Sequence, residues 1–379
     1  MKSLPSYFIR TIEYDENSQK RKDLNNALAL MIATDMQPFS IVEDDGFRRF
    51  VKILDPRYVL PSKVTLKNVY LKQLFHSAKV KLIEILTATK YVSITCDCWT
   101  SCANENYLTV TCHFIENDFA LKTAVLSTKK LCDLTSHSLA NIATTLSSIL
   151  DEWSIKDKIS CIVTDNASNM IKACDILKKE RLSCFAHTLN LVVQDAIKDK
   201  DGTFLKLLSK SIATLLDPRF KKEGFFLQVN AERALSLLKD DLSLTESLQR
   251  VDTQTLAHDT RMHNPSQTNS FFDFLESRLA EKRSSTKSFR EILENQYIDK
   301  PNMSHDIDPL LFWKVNANTL QLDDMTNCVH KFLCIPATSV ESERLFSKAG
   351  QLISKRRAAL KEKHVDMLLF LNKNQWLSK

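Results

Sequence analysis

The spacing of apolar positions changes along the chain, and the changes mark out its elements. Up to residue 90 the spacing is helical. Asn25 to Met36 is an apolar-rich stretch that stops before Pro38, and Phe47 to Leu54 is a second. Ser62 can cap a third helix in which Leu66, Val69, Leu74, Val80, Ile83 and Leu86 recur at near-helical intervals. From Tyr91 the pattern turns to strands: residues 91–97, 107–115 and 121–128 are β-rich and follow one another at hairpin spacing. Thr135 or Ser136 can then cap an amphipathic helix with Leu139, Ile142, Leu146, Ile149, Leu150 and Trp153 on one face. Residues 159–165 read as a buried strand, Asn169–Lys179 as a helix, 182–186 as a short strand and His187–Lys198 as another helix.

The order β-β-β-α-β-α-β-α predicts an α/β fold, with a three-strand meander followed by alternating units that pair in parallel. That is the order of a ribonuclease H-like core. Beyond it, residues 211–226 hold an apolar run stopped by Asp217-Pro218. Residues 251–269 are polar and turn-rich, and read as a linker or disordered loop. Residues 270–295 are again helical in pattern, and 307–379 form a compact, apolar-rich helical unit. Four regions follow: a helical 1–90, the α/β core 91–200, a shortened helical insertion and linker 201–306, and a C-terminal helical region 307–379 that completes the core.

Composition narrows the chemistry. Only four of 379 residues are glycine. That leaves no GxGxxG and no P-loop, which excludes nucleotide cofactors held by those devices. No apolar run approaches the ~20 residues of a membrane span, and the first residues do not read as a signal peptide. A net charge of +6 permits nucleic acid as a partner without establishing it. The ten cysteines lie mostly inside apolar elements and read as free thiols; with no CxxC pair, no zinc site is expected.

Asp97 and Asp165 end the first and fourth predicted strands. If those strands are parallel neighbours, both carboxylates leave the sheet at one edge, where they repel unless hard cations such as Mg²⁺ or Mn²⁺ bind between them. Such a pair builds two-metal phosphoryl-transfer sites; otherwise each Asp only terminates its strand. Thr338 and Glu341 fit a capping box, with Gly350 as the matching C-terminal cap. On that helix Glu343 shares a stripe with Val340 and Phe346, so it needs a cation or an ion-pair partner such as Arg344. Cys184 and His187 are a short-spaced pair that reads as structural, or as a ligand or DNA contact. Lys355, Arg356 and Arg357, with Lys361 and Lys363, are a solvated helix face or a phosphate contact.

Several ordered motifs then carry a resemblance. CDCWTS (96–101), VTDNASNM (163–170), CFAHTLNLVVQDA (184–196), IATLLDPRF (212–220) and CIPATSVESERLFSKAG (334–350) resemble the hAT superfamily of DNA transposases. The zinc finger BED domain proteins derived from those transposases are the nearest likeness. GFRRFVKILDPRYVLPS (46–62) is similar to the segment before the catalytic core in that group.

The resemblance implies a ribonuclease H-like fold with a metal-binding, DNA-cutting triad of Asp97, Asp165 and Glu343. It places Trp99, Cys184, His187 and Arg344 near DNA, and it makes the last segment a dimerisation region of a nuclear protein. It also implies a BED zinc finger, yet no cysteine precedes Cys96. A long insertion is implied as well, but SIATLLDPRF begins at Ser211, soon after His187, and no tryptophan lies between Trp153 and Trp313. The expectation is a dimeric, DNA-associated protein that has lost transposition. The alternatives are an active metal-dependent nuclease or a non-catalytic scaffold.

Overall fold

The computed structural model describes residues 12–101, 105–131, 139–188, 208–225, 228–256, 297–316, 323–352 and 361–378. They fall into two compact units. One comprises Met1–Phe114, Lys122–Asp201 and Ile335–Lys379, the other Ile115–Leu121 and Gly202–Cys334.

The first unit opens with helices α1 (Gln19–Thr34), α2 (Asp45–Leu54) and α3 (Leu71–Ala88). Ser18 caps α1, and the Ser62 side chain accepts the Thr65 N–H at 3.0 Å, as its position predicts. The sheet follows, built from β1 (Val92–Thr100), β2 (Asn106–Ile115), β3 (Leu121–Lys130), β4 (Ile159–Thr164) and β5 (Arg181–Ser183). Helices α4 (Leu139–Glu152) and α5 (Ser168–Leu177) flank β4 in sequence. The strand order is β3-β2-β1-β4-β5. β1 pairs antiparallel with β2 and parallel with β4, and β4 pairs parallel with β5. A meander feeding a crossover is therefore what the chain builds.

Both faces of β1 are buried. Val92, Ile94 and Cys96 join Leu82, Leu146, Ile149 and Trp153 in the main apolar core. A side chain such as Ile94, with no exposed surface, contributes roughly 1.5–3 kcal/mol by leaving water. The other face carries Ser93, Thr95 and Asp97, also buried. It is covered by a helix from far along the chain, Val340–Leu352. The final helix, Glu362–Lys373, packs on α1 and α3. There Asn372 donates to the carbonyls of Ala33 and Thr34, closing the end of α1. The C-terminal segment from Ile335 is thus part of the sheet-bearing unit.

In the second unit are α6 (Leu208–Leu216), α7 (Gln228–Leu256), α8 (Pro309–Asn316) and α9 (Asp323–Phe332). With these, Val340–Leu352 becomes α10 and Glu362–Lys373 becomes α11. Trp313 is buried and donates Nε1–H to the Leu216 carbonyl at 2.9 Å. Buried Lys221 donates to the carbonyls of Tyr297 (2.7 Å) and Lys300 (2.8 Å), tying the Asp217-Pro218 turn to the chain before α8.

The helix α7 corrects the linker expectation. Residues 251–256 continue it, because no glycine or proline interrupts the chain between 228 and 256 and polarity alone does not break a helix. Residues 257–269 and the helical pattern of 270–295 lie outside the described residues. None of the eight described cysteines is in a disulfide. No described helix is long and apolar enough to cross a membrane.

Candidate functional site

The parallel ladder brings Asp97 and Asp165 together. β1 and β4 stay in register to Thr95↔Val163, and each Asp lies two residues beyond that pair, on the same face by strand alternation. Asp97 does not end its strand. β1 runs on to Thr100 against β2, with Asp97 opposite Thr109, and it is β4 that stops at Thr164. The gap beyond that strand end is where the carboxylates meet. Asp165 sits in a tight turn in which its Oδ1 accepts the Ala167 N–H at 3.1 Å. Arg181 from β5 steadies the turn by donating to the Asp165 carbonyl (3.1 Å) and to Thr164 Oγ1 (3.0 Å).

Asp97 is only 5% exposed. Burial pushes its carboxyl up to about 8, and the carboxylates of Asp165 and Glu343 push the same way. Ser339 and the Asp165 amide offset part of this rise. Ser339 Oγ and Asp97 Oδ2 are both buried without a hydrogen-bond partner of standard geometry among the described residues. No Lys or Arg among the described residues pairs with Asp97.

Glu343 reaches the same site from α10, but not as its spacing predicts. The buried face of α10 is Ser342, Leu345 and Ala349, while Glu343 is exposed and Val340 and Phe346 are only half-buried. The helix is rotated so that Ser342 faces the sheet, where it bonds to Thr95, while Leu345 and Ala349 join the apolar core beside it. The expected capping box is absent too. Glu341 is spent on Arg344 (2.7 Å) and Lys373 (3.4 Å), and the Ser339 carbonyl accepts the Ser342 amide at 2.9 Å. Gly350 lies within α10 and does not cap it.

Three residues expected near DNA are engaged by other parts of the protein. Trp99 is 9% exposed, stacked on Tyr107 at 4.7 Å, with Nε1–H donated to Thr109 Oγ1 at 3.1 Å. It is a core residue because alternation along β1 puts it on the covered face. Cys184 is fully buried, and its Sγ accepts the Ser339 N–H at 3.4 Å. Arg344 is exposed but engaged with Glu341. His187 is half-buried in the helical turn 185–188, and the rest of the predicted helix lies outside the described residues, as do Lys355, Arg356 and Arg357.

Sequence reasoning missed a buried chain of polar groups beside the acids. Ser342 Oγ meets Thr95 Oγ1 at 2.7 Å, and Thr95 meets Thr111. Thr111 Oγ1 lies 3.0 Å from His113 Nε2, and His113 Nδ1 lies 3.1 Å from Thr123 Oγ1. Burial holds the His113 imidazole down at about 4, so it is neutral at pH 7. The available signal was the alternation of Ser93, Thr95 and Asp97 against Thr109, Thr111 and His113.

The fit to a divalent cation is partial. Among the described residues no three His, Cys, Asp or Glu side chains stand close enough to hold a metal together. The feature that suits a cation is Asp97, buried beside two acids with an orphaned oxygen and no cationic partner.

Residues 95–190 match the ZBED1 RNase-like domain, and residues 293–375 match the hAT family C-terminal dimerisation region. The chain is 30% identical over 226 residues to the AC transposase of Zea mays, covering 55% of this chain and 27% of that protein. It is 28% identical over 200 residues to zinc finger BED domain-containing protein 4 of Homo sapiens, covering 49% and 17%. Against zinc finger BED domain-containing protein RICESLEEPER 2 of Oryza sativa subsp. japonica it is 26% identical over 227 residues, covering 55% and 30%. The chain therefore spans less than a third of the length of these relatives. With a match to an RNase-like domain followed by one to the hAT family C-terminal dimerisation region, this chain is similar over those segments to hAT transposases and to zinc finger BED proteins.

Proposed function

We propose that this chain is a transposase-derived nuclear protein that self-associates through its C-terminal region, binds DNA and does not itself transpose. The sheet order, with an antiparallel arm on a parallel ladder, supports a ribonuclease H-like core. The observation that carries the DNA reading is a cluster of lysines. Lys67, in the helical turn Leu66–Tyr70, and Lys72, at the start of α3, gather with Lys361 and Lys363, at the start of α11, around His364. None of the four has an ion-pair partner among the described residues. Glu362, which lies between Lys361 and Lys363 in sequence, turns its carboxylate to the Lys130 amide at 2.9 Å. Burial, then Lys361 and Lys363, lower the Lys67 pKa below the usual lysine value. Unneutralised cations gathered in this way favour a polyanion.

The test is duplex DNA affinity across a salt series. Converting the four lysines to Gln flattens the log–log slope by about 0.9 for each phosphate that the protein no longer neutralises. An unchanged slope contradicts this face as the DNA surface.

A second reading, a metal-dependent nuclease, is favoured by the environment of Asp97. Asp97 and Asp165 would hold Mg²⁺ or Mn²⁺ with Glu343 as the third acid. A bound ion would polarise a phosphodiester oxygen and acidify a water. The chain's own part is to keep Asp97 out of water and free of any competing Lys or Arg, and to fix Asp165 through Arg181. Nicking that requires the metal and is abolished by Asp97→Asn, Asp165→Asn and Glu343→Gln supports this reading. No nicking by a folded, DNA-binding protein leaves the first reading standing. Neither nicking nor DNA binding leaves a scaffold.

A further inference from the structure

We propose that Ser342, Thr95 and Cys184 are positioning residues that set Glu343 against Asp97, so that cation binding depends on a buried hydroxyl contact as well as on the acids. This rests on the reading of Asp97, Asp165 and Glu343 as a cation site.

Thr95 lies two residues before Asp97 on the same face of β1, and Ser342 immediately precedes Glu343 on α10. Both side chains are fully buried, and their hydroxyls are 2.7 Å apart. A hydrogen bond at that point fixes both the height and the rotation of α10 over the strand. An apolar contact would not do so, since it tolerates sliding.

The contact is also held at its far end. Thr95 leads through Thr111 to His113 and Thr123. A neutral imidazole offers one donor and one acceptor, so His113 can satisfy both Thr111 and Thr123 at once and close the chain of hydroxyls without a charge. Displacing α10 by a turn would leave the buried Ser342 hydroxyl without this partner and take one of two partners from Thr95, which disfavours such a placement.

A second tie holds the segment that enters α10. The Cys184 thiol accepts the Ser339 N–H at 3.4 Å, and the Phe185 N–H donates to the Ala337 carbonyl at 2.9 Å. Cys184 follows β5 directly. The helix bearing Glu343 is thus fastened to β1 and beyond the end of β5, the two strands on either side of β4, after whose end Asp165 lies. Cys184 acts here by anchoring a backbone amide, with its sulfur buried.

The test uses the full chain and two readouts. The first is Mn²⁺ affinity, from the loss of the free-ion electron paramagnetic resonance signal. The second is the rate of Cys184 alkylation, read on its peptide by mass spectrometry. Thr95→Val and Ser342→Ala should weaken Mn²⁺ binding by roughly 10–100-fold, the usual cost of losing a residue that orients a ligand. Thr95→Ser and Ser342→Thr, which keep the hydroxyl, should restore it. Cys184 alkylation should rise several-fold in Ser342→Ala and fall back in Ser342→Thr.

Mn²⁺ affinity unchanged in both Thr95→Val and Ser342→Ala overturns the proposal. If the unsubstituted chain binds no Mn²⁺, the cation reading fails and alkylation decides: a rise reversed by Ser342→Thr upholds the positioning role, and no rise overturns it. Should Thr95→Val fail to fold, the Ser342 pair carries the same comparison from the helix side.

Discussion

The two faces of the β1–β2 pair are equally dry and are built from opposite chemistry. On one, Ile94 and Cys96 lie opposite Cys112 and Val110, with Val92, Leu108 and side chains from α3 and α4 in the same core cluster. On the other, Ser93, Thr95 and Asp97 face Thr109, Thr111 and His113 beneath α10. The apolar face supplies stability without direction. The polar face gives up some of that stability for a contact that works in one placement only. The acids stand on the polar face, where position matters more than burial energy.

One cut into each face sets the two apart. Ile94→Ala should lower the unfolding free energy by about 2–5 kcal/mol, as large-to-small changes in a packed core do, and urea denaturation would measure it. Thr95→Val keeps the shape and removes the hydroxyl, so it should cost about 1–3 kcal/mol, the range for a buried group left unpaired. Equal costs would mean that the polar face is an ordinary core.

Next in size is the buried acid. The Asp97 carboxyl titrates near 8 in the fold against an ordinary 3.8, so the protonated form is favoured by folding. Its contribution to stability is complete below about pH 4 and is lost as pH rises through about 8. Asp97→Asn should therefore match the unsubstituted protein in acid and exceed it by roughly 1–3 kcal/mol above pH 8. Thermal melts at several pH values would show the gap widening, and a gap independent of pH would contradict the buried charge.

The smallest effect belongs to the outer side of α10. Arg344 pairs with Glu341 at the surface, so Arg344→Ala should change stability by no more than about 0.5 kcal/mol by the same denaturation assay.

Much of the sheet was legible in the sequence, because strands such as 91–97 and 159–165 declare themselves by β-branched content, and parallel pairing follows from the helix between them. The meeting of Asp97 with Asp165 was legible for the same reason. Three things were not. The polar positions Ser93, Thr95 and Asp97 sit on a face whose cover comes from Ser342, 247 positions from Thr95, which no local pattern announces. The orientation of α10 was misread because Val340 and Phe346 suggested an apolar stripe, whereas the buried stripe begins with a serine. The lysine cluster around His364 joins two helix starts far apart in the chain, and only the packing of α11 on α3 brings them together.

What places α10 is the hydroxyl contact, and amide hydrogen exchange on Thr95→Val reads that placement helix by helix. Exchange of the α10 amides should quicken by about tenfold or more, a local opening of roughly 1.4 kcal/mol, while β1, β4 and α4 keep their protection. Unchanged exchange in α10, or the same acceleration throughout the sheet-bearing unit, would contradict it.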